Sequence, residues 1–162
     1  MSCYNRDQII LILSKILKNH GSLPTSITNK NNPTESLEND LRGRHFYELS
    51  KEKRDIIYGD ITIFNPEAFR FYLPEMIYDS LNRNELPALF PIFLLGLSEG
   101  SMTVDNRLDY LSKEERKLVL EFLKCILDYA NSSSETDAKI LSEDYLEDIY
   151  KIIDFWKTVS AQ

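Results

Sequence analysis

The sequence is poor in the residues that most often carry chemistry. It holds two histidines, two cysteines and five glycines among 162 residues. Neither His20 nor His45 has a cysteine, a histidine or an acidic residue at ligand spacing, whereas a structural metal site takes about four such ligands. The chain also lacks a Gly-x-Ser-x-Gly turn, a P-loop and a Gly-x-Gly-x-x-Gly turn. The sequence therefore predicts no metal site, no cofactor and no catalytic residue, and it favours a protein that is not an enzyme.

Paired cysteines and long apolar runs are also missing. Cys3 and Cys125 are far apart in the chain and form no C-x-x-C pair. Cys125 falls in an apolar helical pattern, where a free thiol behaves as a small hydrophobe. The apolar run at residues 9–13 has five members, well short of the roughly 18 that a membrane span requires. We expect a cytoplasmic protein that has no disulfide framework and no membrane partner.

Positive charge is in deficit. The formal net charge is −7, which opposes binding to phosphate backbones, since lysine and arginine supply that affinity. The one basic cluster comprises Arg42, Arg44 and His45 around Gly43. The sequence thus predicts no nucleic-acid partner. The acidity either keeps the protein soluble or forms a surface for a basic partner.

Helical periodicity is what the sequence does have. Apolar residues recur at helical spacing near both termini, and residues 112–115 (Ser-Lys-Glu-Glu) form a capping box before an amphipathic stretch. We predict one all-α domain over residues 1–162, an irregular bundle of five or six helices. Residues 20–34 are expected to be a mobile loop, with a ligand-binding loop as the alternative, and residues 131–141 a linker. Residues 61–64 are predicted to be an extended connector, residues 96–110 a polar loop, and Ser142 the cap of the last helix.

A central helix is predicted over residues 65–81. Asn65 is suited to cap it, Pro66 takes the first helical position, and Pro74 should kink or restart it. On a helical wheel Arg70 falls inside the apolar arc, while Glu75, Asp79 and Asn82 share the opposite arc. A buried guanidinium needs a partner.

Two interpretations of Arg70 are open. It makes a structural ion pair, with Asp60, Glu48 or Asp109 as candidates. Alternatively, Arg42, Arg44 and Arg70, together with Tyr72, line a pocket for an anionic group, to which arginine is well suited.

The central block resembles a bacterial family of all-helical domains of unknown function. The likeness lies in LRGRHF at residues 41–46 and in FNPEAFRFYLP at residues 64–74. It continues more weakly through residues 108–111, 122–123 and 155–156, and so covers most of residues 38–157. The resemblance implies a helical domain and assigns no activity to any residue.

Two functions follow as hypotheses. Small size, acidity and the missing catalytic motifs favour a protein-interaction module that is regulatory or immunity-like. An acidic single-domain inhibitor of a basic partner is physically reasonable, because opposite charges attract across the interface. The alternative is a binder of, or an enzyme acting on, an anionic small molecule through Arg42, Arg70 and Tyr72.

Overall fold

A computed structural model describes residues 1–31, 33–132 and 143–162. Within these ranges the chain is all-helical, which confirms the predicted class. The described residues form eight α-helices rather than five or six, because turn-forming residues divide the middle of the chain into short helices. The α-helices are α1 (Arg6–Lys18), α2 (Glu35–Leu41), α3 (Lys51–Ile57), α4 (Pro66–Leu81), α5 (Phe90–Leu95), α6 (Glu99–Thr103), α7 (Lys113–Ser132) and α8 (Glu143–Ser160). Three 3₁₀ helices accompany them, at Phe46–Glu48, Tyr58–Ile63 and Val104–Tyr110.

Helix α4 lies at the centre of the molecule. The Asn65 side chain accepts a hydrogen bond from the Ala68 N–H at 2.8 Å, and Pro66 fills the first helical position, as predicted. The helix continues through Pro74 and does not restart there. Eleven of its sixteen residues are buried, so α4 is covered on almost every side.

The long helices α7 and α8 complete the core. Helix α7 packs against α8 and α1, and α8 also contacts α5. The Trp156 indole is fully buried and donates to the Leu97 carbonyl at 2.8 Å. An aromatic ring with a satisfied N–H can be buried without an unpaired polar group, so this contact fastens α8 to the middle of the chain.

Two predicted irregular stretches are helical. Residues 61–63 belong to the 3₁₀ helix Tyr58–Ile63, and residues 96–110 contain α6 and the 3₁₀ helix Val104–Tyr110. The loop prediction for residues 96–110 was wrong, and the extended connector is confirmed at Phe64 alone, which is extended and bridges Thr28. Arg107, in the second stretch, is 1% exposed and fastens the first stretch. Its guanidinium donates to the carbonyls of Ile61, Thr62 and Phe64 at 2.5–3.1 Å and lies over the Phe69 ring.

The stretch 20–34, for which a mobile loop is expected, is fastened to the core at residues 26–29. Ile27 is fully buried, and Thr28 forms an isolated antiparallel bridge with Phe64. The Glu38 carboxylate accepts from the N–H groups of Ile27 and Thr28 at 2.9 and 2.8 Å. Residue 32 is not described.

Cys3 and Cys125 form a disulfide, which corrects the prediction of free thiols. Their Cα atoms lie 5.2 Å apart although 122 positions separate them in the sequence. They meet because α1 packs along α7. Asn5 reinforces the contact, since its amide donates to the Glu121 carboxylate at 2.9 Å.

Two predictions near the C-terminus fall mostly outside the described residues. Residues 131 and 132 belong to the end of α7, whereas the rest of the predicted linker and Ser142 are not described. Among the helices that the structure describes, none is both long and apolar enough to cross a membrane.

Candidate functional site

Arg70 is not the buried residue that the helical wheel predicts. Its side chain is 52% exposed, and its Nε donates to both oxygens of Glu115 at 3.1 and 3.2 Å. The partner is none of the three proposed acidic residues. The wheel fails because other elements leave the Arg70 side chain half-exposed. Its partner Glu115 lies at the start of α7 and also accepts from the Ser112 N–H in the predicted capping box. Among the residues that the structure describes, the arginine that is buried is Arg107.

The other predicted site residues lie apart from Arg70. The Tyr72 hydroxyl is 2.8 Å from the Arg44 carbonyl oxygen and 3.1 Å from that of Leu41, and burial raises the pKa of this hydroxyl. The Arg42 guanidinium is exposed and pairs with Glu38 at 2.8 Å, and the Arg44 side chain is exposed as well. Arg42 and Arg70 line two different grooves, so the four residues do not form one anion pocket.

A cluster of three side chains takes their place. Glu75 is almost fully buried, and its Oε2 lies 3.1 Å from His20 Nε2 and 2.8 Å from His45 Nδ1. Its Oε1 accepts from the Phe46 N–H at 2.7 Å. His20 follows α1, His45 precedes the first 3₁₀ helix, and Glu75 lies in α4. One carboxylate therefore connects three segments that are distant in sequence.

Hydrogen bonding keeps this carboxylate ionised. Burial acts to raise the pKa of Glu75, but the bonds from His20, His45 and the Phe46 N–H outweigh burial and lower that pKa. Hydrogen bonds to the charged form of an acid favour that form. Glu75 is thus a buried anion with three donors.

Aromatic rings hold both imidazoles in place. The His20 ring centroid lies 3.9 Å from that of Phe71. The His45 ring is nearly parallel to the Tyr47 ring, with a centroid separation of 4.9 Å. Each imidazole is fixed by a carboxylate at its edge and an aromatic ring at its face.

The cluster forms part of the wall of a cleft of about 630 Å³, which we call the His45 cleft. Its lining comprises Leu17, Lys18, His20, Gly21, His45, Tyr47, Arg54, Glu75, Tyr78, Asp79 and Asn82. A second cleft of about 620 Å³, the Arg70 cleft, lies on the other side of His20 and shares His20 and Gly21 with the first. Gly21 has φ +80°, a conformation that glycine adopts without strain, and it turns the chain away from α1 between the two clefts.

Ion pairs fix another part of the cleft wall, one helical turn along α4 from Glu75. Asp79 accepts from Arg54 at 3.0 Å, from Arg83 at 2.7 Å and from the Tyr58 hydroxyl at 2.7 Å. Burial, followed by the charge of Asp79, raises the pKa of Tyr58. By contrast, Lys18 makes no ion pair with any other described residue. It is the free cation of the His45 cleft.

Sequence reasoning missed this site because it judged the histidines by sequence spacing. One signal was present: an acidic residue, Glu75, stands between Pro74 and Met76, inside the apolar run of α4 that extends from Phe71 to Ile77. Within residues 1–31, 33–132 and 143–162, no group of three His, Cys, Asp or Glu side chains is arranged to hold a metal ion.

Comparisons with protein-family models, with curated proteins and with solved structures give no match. The resemblance to a bacterial helical family therefore stays a prediction.

Proposed function

We propose that this chain binds a small molecule that combines a planar ring with an anionic group, and that the His45 cleft is the binding site. The observation that carries the proposal is a buried carboxylate that orients two imidazoles in the wall of a cleft large enough for such a ligand. Ligand sites are concave, and most hold a few fixed polar groups among apolar and aromatic side chains. The proposal keeps the ligand class expected from sequence and assigns it to different residues.

Tyr47 and Tyr78 supply the ring-binding part of the site. Their side chains line the cleft although they are 66% and 48% exposed. Tyrosine offers a flat apolar face at a small entropic cost, since it has two side-chain torsions. A planar ligand ring that stacks there removes apolar area of both the ligand and the protein from water.

Lys18 supplies the anion-binding part. Lys18 lines the cleft and forms no ion pair with another described residue. Arg54 is less available, because its guanidinium is already bonded to Asp79. An anionic group next to Lys18 gains a charge-assisted hydrogen bond, which supports a ligand with one or two negative charges.

Histidine NMR tests this proposal directly, because the chain has only two histidines. Adenosine monophosphate is titrated while the ring Cε1–Hε1 signals of His20 and His45 are followed. We expect both signals to shift and saturate. Adenosine, which lacks the anion, and inorganic phosphate, which lacks the ring, should each bind at least tenfold more weakly, about 1.4 kcal/mol.

Two variants complete the experiment. Lys18→Gln should weaken binding of the monophosphate and leave adenosine unaffected. Lys151→Gln removes a lysine of the same size from an exposed ion pair with Glu147 on α8 and should leave both affinities unchanged. The proposal is wrong if adenosine monophosphate moves neither histidine signal, or if inorganic phosphate binds equally well.

A protein-interaction module is the second proposal. The observation that favours it is the pair of exposed rings, Tyr47 and Tyr78, on a chain with a net charge of −7. A basic partner protein that covers both rings fits this surface. A pull-down experiment tests this proposal by comparing the basic proteins that bind to the wild-type chain with those that bind to a Tyr47→Ala/Tyr78→Ala variant. A basic protein held only by the wild-type chain supports the module, and equal capture contradicts it.

The cellular location also stays a proposal. The sequence predicts a cytoplasmic protein, but the Cys3–Cys125 disulfide favours an oxidising compartment, since cytosolic thiols are kept reduced. Measuring the free thiols of the protein in rapidly acid-quenched cells distinguishes the two locations.

A further inference from the structure

The His20–Glu75–His45 cluster has the bonding pattern of a proton-transfer site. Both imidazoles lie within hydrogen-bond distance of the same oxygen, Glu75 Oε2. Because an ionised carboxylate only accepts, His45 donates from Nδ1 and His20 donates from Nε2. The remaining nitrogens, His45 Nε2 and His20 Nδ1, make no hydrogen bond to another described residue. A carboxylate that fixes one imidazole nitrogen leaves the other available as a base or an acid.

The surroundings of the cluster are mixed in charge. The charged and titratable groups that face the cluster are Lys18, Glu48, Arg54, Tyr72 and Asp79. Arg54 and Arg83 neutralise Asp79. Among these facing groups, Glu48 is therefore the carboxylate that forms no ion pair with another described residue.

The cleft holds no hydroxyl or thiol nucleophile of the usual kind. Its described lining contains no serine, threonine or cysteine, so an acyl-enzyme or thioester route lacks its attacking atom. Two imidazoles on one carboxylate, each with a nitrogen that bonds no other described residue, suit a reaction in which the substrate brings its own nucleophile. A hydroxyl adjacent to a phosphodiester meets that requirement.

We infer that the His45 cleft catalyses internal transphosphorylation of a short ribonucleotide phosphodiester. This inference rests on the ligand class proposed above. Neutral His45 takes the proton of the 2′-hydroxyl at Nε2, and the freed oxygen forms a bond to phosphorus. The bond from phosphorus to the 5′-oxygen breaks, and protonated His20 gives that oxygen its Nδ1 proton. A cyclic phosphate and an alcohol result, and proton exchange with water restores the two rings.

The structure supports this assignment of base and acid. The His45 side chain is 31% exposed and that of His20 is 11% exposed, so His45 is the more accessible ring for an incoming hydroxyl. Lys18 offsets the charge of the phosphate, and the Tyr47 and Tyr78 rings accept the bases by stacking, which tolerates any base. The net charge of −7 disfavours long RNA, so the substrate class is limited to a few nucleotides.

Cleavage of uridylyl-(3′,5′)-adenosine tests the inference, with product separation by chromatography. We expect a 2′,3′-cyclic phosphate and adenosine, a bell-shaped pH profile, and slower cleavage of long RNA per bond. His45→Gln and His20→Gln should each reduce the rate by about 100-fold or more, since general acid–base catalysis contributes roughly that much. Lys151→Gln, purified identically, should cleave at the wild-type rate.

Binding and catalysis are separated by the 2′-deoxy dinucleotide, which lacks the nucleophile. The inference is overturned if the ribo dinucleotide is not cleaved, or if the histidine variants cleave it as fast as the wild-type chain does. Histidine shifts caused by the deoxy dinucleotide in the absence of any cleavage would leave the proposed binding function standing. Circular dichroism of each variant shows whether a lower rate is caused by a loss of folded structure. A histidine with only a structural role should leave the shape of the pH profile unchanged when it is replaced.

Discussion

His45 Nδ1 lies 2.8 Å from Glu75 Oε2, and this bond links the start of the first 3₁₀ helix to the most buried helix of the fold. The same oxygen also bonds His20, so a single carboxylate fixes two segments and two imidazoles at once. Loss of its charge should therefore affect stability as well as any chemistry in the cleft.

Acid should destabilise the protein partly through Glu75. Its pKa in the folded chain is lower than the ordinary value for glutamate, because His20, His45 and the Phe46 N–H bond to the carboxylate. A carboxyl with a depressed folded pKa contributes stability that is fully present above its unfolded pKa and is lost as pH falls through the folded pKa. Glu38, with the same direction of shift, adds to this loss. We expect the free energy of unfolding to decrease as the pH falls below about 4.5, measured by urea titration at several pH values.

The Glu75→Gln variant isolates the contribution of this carboxylate. At neutral pH it should lose about 1–3 kcal/mol, because the two histidines no longer bond to a charged acceptor, and its stability should depend less steeply on acid pH. Glu67→Gln, at an exposed position in the first turn of the same helix, is the matched control and should lose less than about 1 kcal/mol, the attraction of a first-turn carboxylate to the helix N-terminus. Identical pH curves for wild type and Glu75→Gln would contradict the assignment.

Reduction of the Cys3–Cys125 disulfide should lower stability. It closes a loop of 122 residues, and cross-links of that length stabilise proteins by about 2–5 kcal/mol. Urea unfolding with and without reductant measures the difference. A Cys3→Ala/Cys125→Ala variant should match the reduced wild-type chain and show no response to reductant. A reductant effect that persists in this variant would show that the cross-link is not its cause.

Arg70 and Arg107 should differ sharply when each is changed to methionine. Arg70→Met removes a half-exposed ion pair with Glu115 and should cost less than about 1 kcal/mol. Arg107→Met leaves the carbonyls of Ile61, Thr62 and Phe64 without their donor and should cost about 3 kcal/mol or more. Chemical denaturation of the two variants under one set of conditions makes the comparison. Equal losses would restore the sequence-based view of Arg70 as a structural residue.

The predictions that succeeded depended on local chemistry. The cap at Asn65, the proline at position 66 and the capping box at residues 112–115 involve neighbours within one turn, which sequence spacing specifies directly. The all-α class likewise follows from periodicity, which is a property of each segment.

The class of fold, the central helix and the shortage of catalytic motifs could be predicted from the sequence, because they depend on residue types and short spacings. The burial of particular charges, the pairing of Cys3 with Cys125 and the sharing of Glu75 by two isolated histidines became visible in the folded structure. A helical wheel ranks the faces of one helix, but the packing of other elements decides which face is covered. Residues separated by 30 to 122 positions become neighbours only when the helices pack. Their separation along the chain does not show that they will be close in the folded protein.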